Sequence, residues 1–320
     1  MSPEMSFAER AALSLMLEVS STPKAGNVDR EHDHIDLKFQ HFLVSALASV
    51  RVFSDVERGG SIGEGIYRAV KRSVGLCGRN VHFGAFLLLI PLVKASVVES
   101  MESGCNDDGS GISTTAAAST ASRAPDPEME LMKSPNAKRE KVAGRALDIL
   151  KKTGVEDSVL VLRAFRESRA RVADVSAGDL RGVDENWLRK RGISLYRWME
   201  MGRHENVIAE ELVSGYRLSL EGADVMEREL ESGNLNDAVV YTYHYLLSRC
   251  IDPLVKAKFG YEVAEEVREM AKEAVSSRDF DSLDRTLISR GINPGSVADL
   301  AASSIYLLTV DRLELVLERI

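Results

Sequence analysis

The chain has 320 residues, of which 44% are hydrophobic and 28% are charged, so it can bury a sizeable core. Its formal net charge of -8 argues against a nucleic-acid or anionic-membrane surface, for which an excess of basic residues is typical. Three cysteines without Cys-x-x-Cys spacing indicate neither a disulfide framework nor a zinc site. Charges interrupt the first 18 residues, so no signal peptide is predicted. We expect a cytoplasmic protein that has no nucleic-acid or membrane partner.

Apolar residues recur at spacings of three and four along most of the chain and almost nowhere alternate, which is typical of helices. The most apolar run, Phe83 to Val93, is shorter than the roughly 20 residues that cross a bilayer and is predicted to be a buried helix. We predict an all-α fold, a multi-helix globular bundle forming a single domain over residues 1–320. The predicted helices are Phe7–Val19, Phe39–Val56, Ile62–Leu76, Phe83–Met101, Val142–Thr153, Val159–Arg171, His204–Glu231, Leu235–Ile251, Val263–Val275 and Val297–Glu318.

Two of these regions carry further expectations. Gly215 and Gly222 lie on the inward stripe of the predicted helix His204–Glu231, which favours close approach of another helix or of a ligand. The segment Ser103–Pro127 consists mostly of Gly, Ser, Thr, Ala, Asp and Pro and cannot offset its ordering entropy by burial. We predict a low-complexity loop over 103–127.

The loop between the first two helices is the densest polar segment. Cations and hard oxygen ligands stand together in it, a composition that suits a polyphosphate and its Mg²⁺. Lys24 and Arg30 could contact phosphate oxygens, and Gly26 could let the backbone come close. Asp29, Asp33 and Asp36 could bind the metal, while His32 and His34 could transfer protons. The alternative is a solvated loop in which Asp36 caps the next helix.

A second polar segment, Arg79–Gly84, precedes the most apolar helix. Asn80 could simply cap that helix. Alternatively, the free amides and positive dipole end at a helix N-terminus could bind an anion, with His82 in the first turn. Both interpretations stay open at this stage.

Two further segments lie in the C-terminal third. Ser296 and Asp299 open the last predicted helix and have the spacing of a capping box, although Glu or Gln is the usual partner. Asp252 follows another helix and could bind a metal or pair with a neighbouring cation.

In chain order these segments resemble the triphosphoribosyl-dephospho-CoA synthase family, which makes the precursor of the citrate lyase and malonate decarboxylase prosthetic group. The run from Glu18 to Asp29, E-V-S-S-T-P-K-A-G-N-V-D, is similar to the family's E-V-x-x-T-P-K-P-G-x-V-D. The resemblance continues through Asn80 and Gly84 in an N-x-x-x-G step and through Asp252. The run Asn293–Ala301 is similar to a P-G-G-S-A-D-L-L-A ending. Ala25 in place of proline is one of several departures that suggest a divergent branch.

The resemblance implies an enzyme that moves the ribose triphosphate of ATP from adenine to the 2′-hydroxyl of 3′-dephospho-CoA or a related alcohol. It implies ATP as substrate, Mg²⁺ as cofactor and a dephospho-CoA-like acceptor as partner, and it leaves the oligomeric state open, a homodimer included. The catalytic candidates are His32, His34 and Asp33. The nucleotide- or phosphate-binding candidates are Lys24, Gly26, Arg30, Asn80, His82, Ser296 and Asp299. The metal-binding candidates are Asp29, Asp33, Asp36 and Asp252.

Two alternatives from other classes remain. A different all-α, Mg²⁺-dependent enzyme, such as a nucleotide pyrophosphohydrolase or an ADP-ribosyl hydrolase, would use the same carboxylates on water. A helical interaction protein would carry these polar loops on its surface and would gain no protection from ATP and Mg²⁺.

Overall fold

The structure is a computed structural model that describes residues 5–79, 81–106, 136–168 and 183–320. Within these ranges the chain forms fifteen helices and no strand, which confirms the all-α prediction. The helices are α1 Phe7–Ser20, α2 Phe39–Glu57, α3 Ile62–Cys77, α4 Phe83–Asn106, α5 Ala137–Lys151, α6 Val155–Ser168, α7 Glu185–Arg191, α8 Leu195–Gly202, α9 Val207–Ser214, α10 Arg217–Ser232, α11 Leu235–Arg249, α12 Pro253–Phe259, α13 Tyr261–Ser277, α14 Phe280–Ser289 and α15 Gly295–Glu318.

The prediction of one continuous helix over His204–Glu231 is wrong. The chain breaks between α9 and α10, where Gly215 and Tyr216 have φ values of 79° and 64°. The buried carboxylate of Glu211 accepts hydrogen bonds from the backbone N–H groups of Leu218 and Ser219, both at 2.8 Å, and so caps the start of α10. A buried cap formed by a residue of the preceding helix is a tertiary feature that apolar spacing does not reveal.

Close helix packing is confirmed at Gly222 but not at Gly215. A Cβ atom at Gly222 would lie 2.3 Å from Ser304 Oγ, so α10 packs closely against α15 at this glycine. The short helices α7, α8, α12 and α14 are missing from the prediction because a run of seven to ten residues carries too little periodicity.

The region predicted as a low-complexity loop is described only at its start. Helix α4 continues to Asn106, so the first residues of Ser103–Pro127 are helical. From residue 107 onward this segment lies outside the described residues. The single-domain organisation over 1–320 stays a prediction.

Helices α4 and α15 supply much of the core. Phe86, Leu89 and Ile90 of α4 and Leu307 and Leu308 of α15 are completely buried. Helix α4 is long and apolar enough to cross a membrane, but 61% of its most apolar window is buried within the protein, as in a core helix. The two helices begin at the same cavity, which brings distant segments of the chain together.

Candidate active site

A cavity of about 1660 Å³ lies where α4 and α15 begin. Its wall also includes residues from α1, from the loop before α2, from the connection between α3 and α4, and from α12. The polar residues along it include Glu18, Asn27, His82, Lys256, Ser296 and Asp299. The segments near residues 30 and 299 therefore contribute to one cavity, as the predicted site requires.

Asp299 lies directly against the start of α4. A Cβ atom at Gly84 would be 2.1 Å from Asp299 Oδ2, so only glycine allows this approach. The backbone N–H of Ala85 donates a hydrogen bond to the Asp299 carboxylate. Burial, and then the negative charge of Glu18, raise the pKa of Asp299 well above its usual range. The cavity wall therefore holds two acidic groups that interact unfavourably when both are ionised.

Lys24 is the cation that pairs with Glu18. The Lys24 ammonium is completely buried, donates to the Glu18 carboxylate, and lies 3.2 Å from the backbone oxygen of Val28. Burial raises the pKa of Glu18, although Lys24 acts in the opposite direction. Lys24 was predicted to contact phosphate, but it stands behind Glu18 and is not among the residues that line the cavity.

The first half of the loop, Thr22 to Asp29, is held by hydrogen bonds to distant helices. Gly26 has a φ of 72° and donates its N–H to Asp284 Oδ1 at 2.9 Å. A Cβ atom at Gly26 would be 2.3 Å from the backbone oxygen of Ile292. Gly26 thus allows the loop to pack closely against the backbone at Ile292. Its predicted contact with phosphate remains untested.

Asp29 also acts within the loop. One carboxylate oxygen accepts from the N–H of Lys24 at 3.2 Å, and the other from the N–H groups of Glu31 and His32 at 2.8 and 2.9 Å. Its side chain is completely buried. These bonds fix the turn that carries the chain from the buried half of the loop to its exposed half.

The second half of the loop, Arg30 to Asp36, lies at the surface. His34 Nε2 is 2.8 Å from the backbone oxygen of Gly26, and Arg30 donates to the backbone oxygen of Ser20 at 2.8 Å. His32 Nδ1 lies 3.4 Å from Asp29 Oδ1. In this half only Asp36 is among the residues that line the cavity, and its carboxylate lies 3.3 Å from Arg79 Nη2.

The interpretation of Asp36 as the cap of α2 is wrong. Asp33 Oδ1 accepts the backbone N–H of Phe39 at 2.8 Å, at the first residue of that helix. Asp33 was predicted to be both a catalytic and a metal-binding residue, and in the structure it contacts the helix terminus.

Asp252 joins α12 to α15. One of its carboxylate oxygens accepts from the N–H groups of Leu254 and Val255, and the other from those of Ser296 and Val297, all within 3.1 Å. The predicted capping box of Ser296 and Asp299 is therefore wrong, and so is the expected pairing of Asp252 with a cation. Burial raises the pKa of Asp252 to about 6, although the four N–H donors pull it down.

The four predicted metal ligands do not form one cluster. Across the described ranges, no group of three or more His, Cys, Asp or Glu side chains is placed to hold a metal ion. Asp29 and Asp252 are occupied by backbone N–H groups, and Asp33 by the start of α2. The carboxylates that share the cavity wall are instead Glu18, Asp36, Glu205 and Asp299.

His82 stands immediately before α4 and is 3% exposed. Its Nδ1 lies 3.0 Å from Ser45 Oγ, and its Nε2 is buried without a hydrogen-bond partner. Burial, and then the charge of Lys24, lower the pKa of His82 to about 3, so the ring is neutral. Asn80, its neighbour in the predicted segment, lies outside the described residues.

The cavity residues that were absent from the predicted site include Glu18, Lys256 and Lys258. Glu18 opens the first family-like motif, and this position was the available signal. Lys256 and Lys258 follow Asp252 closely, and this proximity was the available signal, but lysines on a short segment are usually solvated, so they were not predicted as site residues.

Comparisons with known proteins agree with the resemblance seen in the motifs. The sequence profile of the family described as ATP:dephospho-CoA triphosphoribosyl transferase matches residues 4–316. Among solved structures, the chain is similar to an Archaeoglobus fulgidus protein described as a "putative triphosphoribosyl-dephospho-coA synthase". The two are 37% identical, with a TM-score of 0.63, over 86% of this chain and 99% of that one. No curated protein matches the sequence.

Proposed function

Since the chain belongs to the ATP:dephospho-CoA triphosphoribosyl transferase family and is a transferase of this kind, we propose that its reaction takes place in the cavity at the start of α4 and α15. There the triphosphoribosyl group of ATP passes to a 2′-hydroxyl of dephospho-CoA or a closely related alcohol, and adenine leaves. The bond from C1′ to the adenine nitrogen breaks, and a bond from C1′ to the acceptor oxygen forms. The hydroxyl loses one proton and adenine gains one.

One observation carries this proposal: a single cavity of about 1660 Å³ is lined by the segments that bear the family-like motifs. Pockets for one small molecule usually have volumes of about 300 to 1,000 Å³. The cavity is thus large enough for two nucleotide-sized substrates side by side, as a transfer between them requires. A hydrolase that places only water beside its nucleotide would not need this volume.

The charges along the wall suit a nucleotide tail. Arg79, Lys256 and Lys258 line the cavity and offer cationic groups to phosphate oxygens. Lys256 contacts Glu205, and Lys258 Nζ lies 3.2 Å from the backbone oxygen of Gly291, so both reach the rim of the cavity from α12. Asn293 Oδ1, also on this wall, is buried without a partner and could accept a hydrogen bond from a substrate.

Two carboxylates of the cavity wall form a donor set that fits Mg²⁺. This ion usually binds one or two protein carboxylates together with substrate phosphates, so a cluster of three protein ligands is not required. Glu18 and Asp299 are hard oxygen donors on one wall, and the negative charge of Glu18 raises the pKa of Asp299. We assign these two residues to the metal in preference to Asp29, Asp33 and Asp252. When bound, Mg²⁺ would neutralise charge on the triphosphate.

The protein's own groups would then hold the substrates so that C1′ faces the acceptor oxygen. Positive charge develops on the ribose ring as the bond to adenine breaks, and electrostatic stabilisation is commonly the largest catalytic effect. The acidic wall formed by Glu18 and Asp299 favours that charge. His32, His34 and Asp33 lie on the exposed half of the loop, and their roles in catalysis stay predictions.

The test is to incubate the full chain with ATP, Mg²⁺ and dephospho-CoA, and to measure adenine and the acceptor adduct. We expect equimolar adenine and triphosphoribosyl-dephospho-CoA. Omitting the acceptor should suppress adenine release, and ATP with Mg²⁺ should raise the melting temperature. Pyrophosphate or free ribose products without an adduct would establish a hydrolase instead. If ATP with Mg²⁺ gives neither turnover nor thermal protection, the proposed function is wrong.

A further inference from the structure

Hydrogen bonds to serines on two neighbouring helices determine whether Nδ1 of His82 carries a proton. Ser45 on α2 donates its hydroxyl proton to Ser73 Oγ on α3 at 2.8 Å, and both serines are completely buried. The Ser45 oxygen is therefore the acceptor in its 3.0 Å contact with His82 Nδ1. This series of hydrogen bonds places the proton of the neutral imidazole on Nδ1 and leaves Nε2 with a free electron pair.

His244 shows what a purely structural buried histidine looks like in the same protein. Its Nδ1 lies 2.7 Å from the backbone oxygen of Val240, and its Nε2 accepts the backbone N–H of Ala25 at 3.3 Å. Both nitrogens are used. His82 is equally buried, but its Nε2 has no partner, and His82 lines the cavity while His244 does not.

The surroundings keep the His82 ring neutral and hold it in place. Phe42 and Phe86 contact the ring edge-on, with centroid distances of 5.1 and 5.8 Å. The two phenylalanines and Ser45 around the ring are uncharged. Burial, and then the charge of Lys24, which is paired with Glu18, lower the pKa of His82. A neutral ring adds no repulsion to a ribose ring that is becoming positive.

We infer that His82 is the general base of the transfer, with Nε2 accepting the proton of the acceptor hydroxyl, and that Ser45 is a positioning residue that holds the ring in the Nδ1–H form. This inference rests on the proposed function. As the acceptor oxygen bonds to C1′, its proton moves to Nε2, and the electron pair of the breaking bond leaves with adenine, which takes up a proton. The imidazolium later releases its proton to solvent.

A weak base is adequate for this step. The hydroxyl becomes strongly acidic as its oxygen bonds to an electron-poor carbon, so the proton can pass to a base that would not ionise a free alcohol. Proton transfer by a positioned side chain contributes about 10²- to 10⁴-fold to a rate.

The first experiment compares two substitutions that preserve different atoms of the ring. His82→Asn keeps a donor near Nδ1, and His82→Gln places an amide oxygen near Nε2; neither provides a base. We expect both variants to lower kcat for adenine release by about 10²- to 10⁴-fold, with KM for ATP changed by less than about threefold. The exposed His204→Gln variant is the matched control and should keep full activity.

His32→Gln and His34→Gln test the rival assignment of the base to the exposed loop. If one of these loses activity to that degree while His82→Gln stays within about tenfold of the parent, the inference about His82 is wrong. If the parent itself releases no adenine with any acceptor, the proposed function fails instead, so the two failures are distinguishable. Circular dichroism of each variant establishes that it is folded.

The second experiment observes the tautomer and the protonation state of the His82 ring directly and does not depend on catalytic activity. Long-range ¹H–¹⁵N spectra of the histidine side chains should show His82 as the Nδ1–H form and still neutral at pH 5. In Ser45→Ala the two tautomers should coexist, and kcat should fall about 10-fold or more. A His82 that is protonated at pH 5, or that carries its proton on Nε2 in the parent, would overturn the assignment.

Discussion

Two clusters of charge in this protein differ in their position and in how their carboxylates are paired. The cavity cluster consists of Glu18, Lys24 and Asp299, and the Arg139 cluster consists of Arg139, Arg312, Asp224, Glu227 and Asp311. Arg139 is completely buried between α5, α10 and α15. Its guanidinium contacts Glu227, lies 2.8 Å from Asp311 and lies 3.5 Å from Asp224. None of the five residues of the Arg139 cluster lines the cavity.

The comparison teaches that burial of charge does not by itself mark a functional site. In the Arg139 cluster, every carboxylate lies within 3.5 Å of an arginine side chain, so its charges connect helices. In the cavity cluster, Lys24 pairs with Glu18 but does not line the cavity, whereas Glu18 and Asp299 both line it. Surplus negative charge beside a large cavity suits a positively charged ligand, such as a metal ion, or a positively charged transition state.

The largest effect should come from breaking the Arg139 cluster. Arg139→Met leaves the buried carboxylate of Asp311 without its cation and should reduce the free energy of unfolding by about 3 to 5 kcal/mol. Denaturant unfolding measures this loss, and adenine release per folded molecule should be unchanged. Arg278→Met is the matched control, because the exposed pair of Arg278 and Glu229 should contribute at most about 1 kcal/mol. A large loss of activity in folded Arg139→Met would contradict the assignment of a structural role to the Arg139 cluster and a functional role to the cavity cluster.

The cavity cluster should behave in the opposite way. Asp299→Asn removes the charge and nearly preserves the shape, so kcat should fall about 10²- to 10³-fold, while stability should be unchanged or higher because no carboxylate has to be desolvated. Steady-state kinetics and thermal unfolding, each with and without Mg²⁺, separate the two effects. A variant that is destabilised but fully active would place Asp299 among structural residues.

Asp252, which contacts the start of α15, should make the stability of the protein depend on pH. Its pKa is about 6 in the folded protein and has an ordinary value of 3.8. The folded chain therefore binds this proton more tightly, and the resulting stability, about 3 kcal/mol, is present below pH 3.8 and lost as the pH rises through 6. The unfolding free energies of the parent and of Asp252→Asn, measured from pH 4 to 7, should differ by a pH-dependent amount. A constant difference would show that Asp252 does not titrate in this range.

The smallest effect concerns the exposed loop. Asp33→Ala removes the cap of α2 and should cost about 0.5 to 2 kcal/mol of stability, whereas Asp33→Asn keeps an oxygen acceptor and should cost less. If Asp33 only caps α2, both variants keep the activity of the parent when folded. If it also binds metal or transfers a proton, Asp33→Asn will lose activity without losing stability, which thermal unfolding and adenine release together will reveal.

Much of the architecture was predictable because helical periodicity is local. Spacings of three and four located α1, α2, α3 and α11 to within a few residues. The break at Gly215 and Tyr216 escaped prediction because the carboxylate that caps α10 comes from the previous helix. The family was accessible for a similar reason, since its first and last motifs are each contiguous, and the family match over residues 4–316 confirms it.

Local patterns in the amino-acid sequence were enough to predict the helical class and the family, because each of these depends on residues close together in the chain. Which polar groups remain available to a ligand depends on contacts between distant segments and becomes visible in the folded protein. Lys24, Asp29 and Asp252 have the composition of ligand-binding residues, yet neighbouring atoms occupy them. Asp299 and His82 keep unmet electrostatic or hydrogen-bonding capacity at the cavity. A hydrogen bond depends on distances of a few tenths of an ångström between segments far apart in the chain, and no local pattern records them.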